Sequence, residues 1–275
     1  AAGEDVLLVG TFGGGLALYE GQDWNQITTP ELPSEYVQAV AAGADGSLWI
    51  GTRDGLMVRD AQGWRGLPSA PGPPGSRITA LTSVTAGGDP VVWAGTFERG
   101  VGRLEDGVWS SFDQSHGLPS LEINALVFHR GVLWVATNAG AAHYSEGEFL
   151  PHPRLADLGR DAVTTLLSDG ESLWLGTSRG VVRLSSAGDV ARFGVREGLV
   201  SGHVYALARS PAALWVGTLG GLNGLRPDGK AAPLDTPTVV AGPAGLSSNW
   251  INALVVREDE LLVGSYGGGV DRRFE

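Results

Sequence analysis

The chain has 275 residues, a formal net charge of −11 at pH 7 and no cysteine. This negative charge argues against nucleic acid or an anionic membrane as the main partner, because both require a basic surface. The absence of cysteine excludes a disulfide framework and a thiolate metal site. No stretch has the length and apolar character of a membrane-spanning helix, so membrane insertion is not expected.

An apolar run that ends in Gly-Thr, or a close variant of it, recurs along the whole chain. The first copy is VLLVGTFGGGL from Val6, and the second is SLWIGTRDGL from Ser47. The anchor positions are 40 to 47 residues apart: Gly10, Gly51, Gly95, Ala136, Gly176, Gly217 and Gly264. Units of about 40 residues cannot bury a core alone and must stack on their neighbours. We therefore expect one repeat domain over residues 1–275.

Each period contains four short apolar runs, which we name strands a, b, c and d. In residues 77–112 they are RITALTSV, VVWAGTF, VGRLED and VWSSF, separated by turns rich in glycine and aspartate. Such runs are typical of antiparallel strands. Four-stranded units with this period predict an all-β fold, a seven-bladed β-propeller.

The two terminal blades are predicted to be incomplete. Strands b and c occur seven times, whereas strands a and d occur six times, which gives 26 predicted strands. The first blade lacks strand a and the last blade lacks strand d. A shortened chain would explain this, and so would pairing of the free edge strand with another chain.

The repeat resembles a known family. The segments LPSEYVQAV with DGSLWIGTRDGL, GLPSLEINAL with GVLWVATNAG, and GLSSNWINAL are similar to the two-component regulator propeller repeat. This resemblance implies a seven-bladed sensor propeller of the kind often found in the periplasm and often fused to signalling domains. The virginiamycin B lyase family has similar repeats and is enzymatic, so the fold alone does not decide the activity.

Eight of the nine tryptophans occupy repeat positions, and we expect all eight to pack in the core. Five are separated from the anchor position by one residue: Trp49, Trp93, Trp134, Trp174 and Trp215. Three belong to the outer strand d: Trp24, Trp64 and Trp109. Trp250 differs from these eight because it lies immediately before a strand a.

The position immediately before strand a varies freely in chemistry, as expected of the binding face of a repeat protein. Tyr205 follows His203 by one strand period and points the same way. Phe97 and Arg99 come from a turn between strands b and c, at the same level. The candidate ligand-binding residues are Tyr36, Arg77, Phe97, Arg99, Glu122, His203, Tyr205 and Trp250. The histidines lack metal-ligand spacing, so neither a metal nor another cofactor is expected.

These features favour a non-catalytic binding propeller that engages a peptide, a protein or a glycan at its central funnel. The alternative is a lyase-type enzyme with His203 as base and Glu122 assisting. A third possibility is an architectural subunit that assembles through its unpaired edge strand. We expect a periplasmic or extracellular location.

Overall fold

The computed structural model describes residues 6–20, 23–43, 45–67, 77–86, 89–211, 213–226, 245–257 and 260–274. The chain divides into two compact units. The first comprises residues 1–128, 133–137 and 142–150, and the second comprises the remaining residues. The single domain expected from the repeat stays a prediction.

The first unit contains four antiparallel sheets, in which consecutive strands pair. The fourth of these sheets belongs to the first unit except for residues 129–132 and 138–141. Sheet 1 consists of β1 (Leu7–Gly10), β2 (Leu16–Glu20) and β3 (Asp23–Ile27); sheet 2 of β4 (Val37–Ala42), β5 (Leu48–Thr52), β6 (Gly55–Asp60) and β7 (Gly63–Leu67); sheet 3 of β8 (Ile78–Ala86), β9 (Asp89–Thr96), β10 (Val101–Glu105) and β11 (Val108–Phe112); and sheet 4 of β12 (Ile123–His129), β13 (Val132–Thr137), β14 (Gly140–Ser145) and β15 (Glu148–Leu150).

The second unit contains three further antiparallel sheets. Sheet 5 consists of β16 (Val163–Ser168), β17 (Ser172–Thr177), β18 (Gly180–Ser185) and β19 (Val190–Phe193); sheet 6 of β20 (Val204–Arg209), β21 (Leu214–Thr218) and β22 (Gly221–Leu225); and sheet 7 of β23 (Ile251–Arg257), β24 (Glu260–Ser265) and β25 (Gly269–Phe274). Three short 3₁₀ helices occupy connections, at Gln114–His116, Pro153–Leu158 and Val195–Glu197.

The fold is a seven-bladed antiparallel β-propeller, which confirms the fold class predicted from the repeat. The sequence predicts strand a at Val37, Ile78, Ile123, Val163, Val204 and Ile251, and the six strands β4, β8, β12, β16, β20 and β23 begin at these residues. It also predicts a strand d near Ala232, which lies outside the described residues, as do residues 1–5.

The anchor glycines allow adjacent sheets to approach closely. A Cβ atom added to Gly95 would lie 2.4 Å from Cγ2 of Ile123, the first residue of strand a in the next sheet. In the second unit, a Cβ atom on Gly217 would lie 2.6 Å from Cγ2 of Ile251. Real Cβ atoms do not tolerate such distances, so any larger residue would push the two sheets apart. Glycine is thus required for this close packing at Gly95 and Gly217, whereas sheet 4 has Ala136 at the anchor position.

The repeated tryptophans pack largely as predicted. Trp49, Trp93, Trp134 and Trp174 are buried, and Trp215 is partly buried against the core of the second unit. The prediction was wrong for Trp24, of which 57% is exposed. Trp24 lies on β3 opposite Tyr19, and no described residue covers its outer side sufficiently to bury it.

Candidate functional site

A recurring backbone hydrogen bond joins the residue before strand a to the residue that follows Gly-Thr. We call these two residues a loop pair. The amide of Phe97 donates to the carbonyl of Arg77 at 3.1 Å, and the amide of Tyr266 donates to the carbonyl of Trp250 at 2.9 Å. Three more loop pairs have the same bond: Tyr36 with Arg53, Ala162 with Ser178, and His203 with Leu219. In these five sheets, the fold therefore places two variable residues next to each other.

The threonine of the Gly-Thr motif fixes the turn that carries the loop pair. The buried hydroxyl of Thr96 donates to the carbonyl of Gly100 and accepts from the amide of Arg99, both at 2.9 Å. The same two bonds form at Thr11, Thr52, Thr177 and Thr218. Because the hydroxyl closes the turn from inside, the residue after it faces outward without being needed for the fold.

Arg77 and Phe97 form a cation–π pair in sheet 3. The guanidinium carbon of Arg77 lies 3.8 Å from the centre of the Phe97 ring, within the range of a favourable interaction. The Nε atom of Arg77 is buried and has no hydrogen-bond partner among the described residues. Arg99, in the same turn, is exposed. This loop pair and the neighbouring Arg99 thus offer an aromatic surface and two cationic groups.

Tyr36 is the centre of a second cluster in the first unit. The ring of Phe12 meets it edge to face with centroids 4.9 Å apart, and the guanidinium carbon of Arg53 lies 5.5 Å from its centroid. Phe12 is 63% exposed, so a large apolar ring is left facing solvent. An aromatic ring flanked by an arginine suits a ligand with both apolar and polar groups.

Trp250 and Tyr266 form the main aromatic pair of the second unit. Their ring centroids are 4.7 Å apart and the ring planes differ by 31°. Tyr205 adds a third ring with its centroid 5.9 Å from that of Trp250. Trp250 is 37% exposed and Tyr266 is 52% exposed. Exposed aromatic rings that are already ordered by their neighbours lose little entropy when a ligand packs on them.

Tyr205 occupies a β-bulge. The register between β20 and β21 shifts between Val204 and Ala206, and the same shift follows the first residue of strand a in sheets 2, 3, 5 and 7. The simple alternation expected from His203 to Tyr205 is therefore broken. Tyr205 nevertheless meets Trp250 of the next sheet, which brings two predicted site residues together.

The described structure gives no support for the proposed catalytic pair. Glu122 belongs to the first unit and His203 to the second. His203 is exposed, and its backbone forms hydrogen bonds with Leu219 and Ser201. Its imidazole has no hydrogen bond or ion pair among the described residues. A general base needs a group that orients it and tunes its pKa. The convergence of residues from both units on one opening stays a prediction.

Neither a cluster of metal-binding side chains nor a membrane-spanning helix is found among the described residues. Within the described ranges, no three His, Asp or Glu side chains are grouped so that they could hold a metal ion. No described helix is long and apolar enough to cross a membrane.

Phe12 and Tyr266 are site residues that were not predicted from the sequence. Both follow Gly-Thr or Gly-Ser directly, at a position occupied elsewhere by Arg53, Phe97, Asn138, Ser178 and Leu219. This position varies as freely as the one before strand a. The variation was a usable signal, and the structure explains it by pairing the two positions.

Comparison with known families supports the resemblance seen in the repeats. Residues 31–54 match the family model described as two component regulator propeller. The extracellular domain of BT4673 from B. thetaiotaomicron, assigned to a one component or hybrid two component system, is 20% identical with a TM-score of 0.78. That match covers 98% of this chain and 36% of the other. Comparison with curated proteins finds no match.

Two further structures share the fold. The extracellular domain of BT3049 from B. thetaiotaomicron is 15% identical with a TM-score of 0.56, over 98% of this chain and 49% of the other. Virginiamycin B lyase from Staphylococcus aureus is 13% identical with a TM-score of 0.60, over 87% of this chain and 84% of the other. The chain thus spans about a third to a half of the two sensor domains.

Proposed function

We propose that this propeller is a non-catalytic recognition module of the sensor type and that its loop pairs form the ligand-binding surface. The observation that carries this proposal is the pairing of partly exposed aromatic and cationic side chains at equivalent places in sheets 2, 3 and 7, above all Arg77 with Phe97 and Trp250 with Tyr266. The turn that holds Arg77 and Phe97 is closed by the buried hydroxyl of Thr96, so these two side chains are free to serve binding.

The chemistry of the loop pairs suits a peptide, a protein or a glycan. Aromatic rings and arginine are the residue types that contribute most to binding surfaces, because they combine a large apolar area with directional polar contacts. The likeness to extracellular domains of sensor systems supports a periplasmic or extracellular location. It also supports a role in sensing rather than in chemical conversion.

The proposal is tested by screening the protein against glycan and peptide arrays, followed by titration of each hit. Arg77→Ala removes the cation of one loop pair and should weaken binding about tenfold, the loss typical of an important contact residue. Arg192→Ala is the control, because Arg192 is an exposed arginine on β19, outside the loop pairs. Equal affinity of the wild-type protein and Arg77→Ala, with a lower melting temperature for the latter, would contradict the proposal.

A further inference from the structure

A second repeated arrangement involves the buried tryptophans and the strand beside them. In sheet 3, Trp93 pairs in register with Arg103, whose guanidinium carbon lies 5.4 Å from the ring centroid. In sheet 5, Trp174 pairs with Arg183 in the same way, at 5.5 Å. Each of these sheets thus supplies a cation to its own tryptophan.

Sheet 2 has no arginine at this register position, and neither has sheet 6, where Trp215 pairs with Gly224. The register partner of Trp49 is Val58, a short apolar residue. A cavity of about 380 Å³ lies at this place, between sheets 2 and 3 of the first unit. Its apolar lining is formed by Trp49, Val58, Val92 and Leu104, which also share one core cluster. Its volume is within the range of ligand pockets, about 300 to 1,000 Å³.

Carboxylates line the remainder of this cavity. Asp60 is paired with Arg65 at 2.8 Å, and Asp45 accepts hydrogen bonds from the amide and hydroxyl of Ser47. Asp106 sits in the turn between β10 and β11, and its carboxylate has no hydrogen bond or ion pair among the described residues. With three carboxylates and one guanidinium, the lining has a negative balance that would attract a cation.

The equivalent serines of sheets 5 and 2 have different hydrogen-bond partners. In sheet 5, Nε of Arg183 donates to the hydroxyl of Ser172 at 2.9 Å. In sheet 2, the corresponding Ser47 receives no guanidinium. Its oxygen accepts from the indole of Trp49 at 2.8 Å, and its hydroxyl donates to Asp45 at 2.6 Å. Oxygen atoms that can accept hydrogen bonds from a guanidinium therefore lie near Val58, which supplies no guanidinium itself.

We propose that the cavity between sheets 2 and 3 binds an alkylguanidinium group, namely the arginine side chain of a basic peptide or protein. The ligand group would occupy the space that Arg103 and Arg183 fill in their own sheets, with its alkyl chain against Val58 and Leu104. Its charge would be met by Asp106 and by the ring of Trp49. This site is formed at the a–b and c–d turns, and it is separate from the loop pairs.

The test uses calorimetric titration with N-acetyl-arginine amide, a Gly-Arg-Gly peptide and the citrulline analogue of each. We expect the two cationic probes to bind and the neutral citrulline analogues to bind at least tenfold more weakly. Val58→Arg supplies the missing cation from the chain itself and should abolish binding. Val58→Leu is the matched control, because it adds volume without charge and should retain most of the affinity.

Asp106→Asn changes an exposed turn and should weaken binding several-fold without unfolding the protein, so it decides the matter if Val58→Arg fails to fold. Both cationic probes present the arginine side chain between two amide groups, so binding of both supports an arginine residue of a peptide or protein as the ligand. No binding of either cationic probe, equal binding of citrulline, or unchanged binding in Asp106→Asn would overturn the proposal.

Discussion

The guanidinium of Arg77 lies over the ring of Phe97, 3.8 Å from its centre, while the backbone of the same two residues is joined by a hydrogen bond. The backbone bond does not depend on either side chain. A double-mutant cycle of Arg77→Ala and Phe97→Ala should therefore report the side-chain interaction alone, with a coupling of about 0.5–1 kcal/mol in the free energy of unfolding. Additive effects within experimental error would show that the pair is not formed in solution.

Gly95→Ala should destabilise the protein by about 1–3 kcal/mol, because the added methyl group overlaps Ile123 of the next sheet. The matched control is Gly66→Ala. Gly66 also lies in a strand, but a Cβ atom there meets no described atom within 4 Å, so this change should be close to neutral. Chemical denaturation of both variants measures the difference. Similar stability of the two would contradict the role assigned to the anchor glycines.

The two kinds of tryptophan should differ sharply in their effect on stability. Trp174 is 1% exposed and its indole donates to Asp169 at 2.7 Å, so Trp174→Ala should cost about 3–5 kcal/mol. Trp24→Ala should change the free energy of unfolding by no more than about 0.5 kcal/mol, because that side chain is mostly exposed. The comparison fails if Trp24→Ala is as destabilising as Trp174→Ala.

His129 should make the stability depend on pH. Burial lowers its pKa below the ordinary value of 6.5, and the charge of Arg130 lowers it further, while Asp169 acts in the opposite direction. The unfolded chain therefore takes up a proton before the folded protein does, and stability is lost as the pH falls below about 6.5. The slope from this group is at most about 1.4 kcal/mol per pH unit.

His129→Gln can still bond to Ser168, whose hydroxyl lies 2.9 Å from Nδ1 of His129, but it does not titrate. The loss of stability between pH 7 and pH 5 should be smaller in this variant than in the wild-type protein, as measured by urea denaturation. Identical pH profiles would show that His129 is not the group responsible.

The fold could be predicted from the sequence because each sheet repeats the same local requirements. The first residues of strand a, such as Ile78 and Ile123, were predicted to the residue, since each is the apolar residue that meets an anchor glycine. Trp24 was predicted wrongly because its repeat position is the same as that of Trp64. Whether such a side chain is buried depends on what lies beside its sheet, which the repeat pattern does not encode.

The candidate site was only half visible in the sequence. Arg77 and its partner Phe97 were both predicted as site residues, whereas Tyr266, the partner of Trp250, lies 16 residues further along the chain and was not predicted. A backbone hydrogen bond across the sheet brings these residues together. The cavity beside Trp49 was not predicted, because a valine in a strand is unremarkable until its register partner is known.

The most direct test of the recognition surface compares two exposed tryptophans in the same binding experiment. With a ligand found by the array screen, calorimetric titration of Trp250→Ala should give an affinity about tenfold lower than that of the wild-type protein, because the proposal places the contacting rings of Trp250 and Tyr266 in the binding surface. Trp24→Ala, which removes an exposed tryptophan outside the loop pairs, should leave the affinity unchanged. An unchanged affinity in Trp250→Ala, or an equal loss in both variants, would contradict the account.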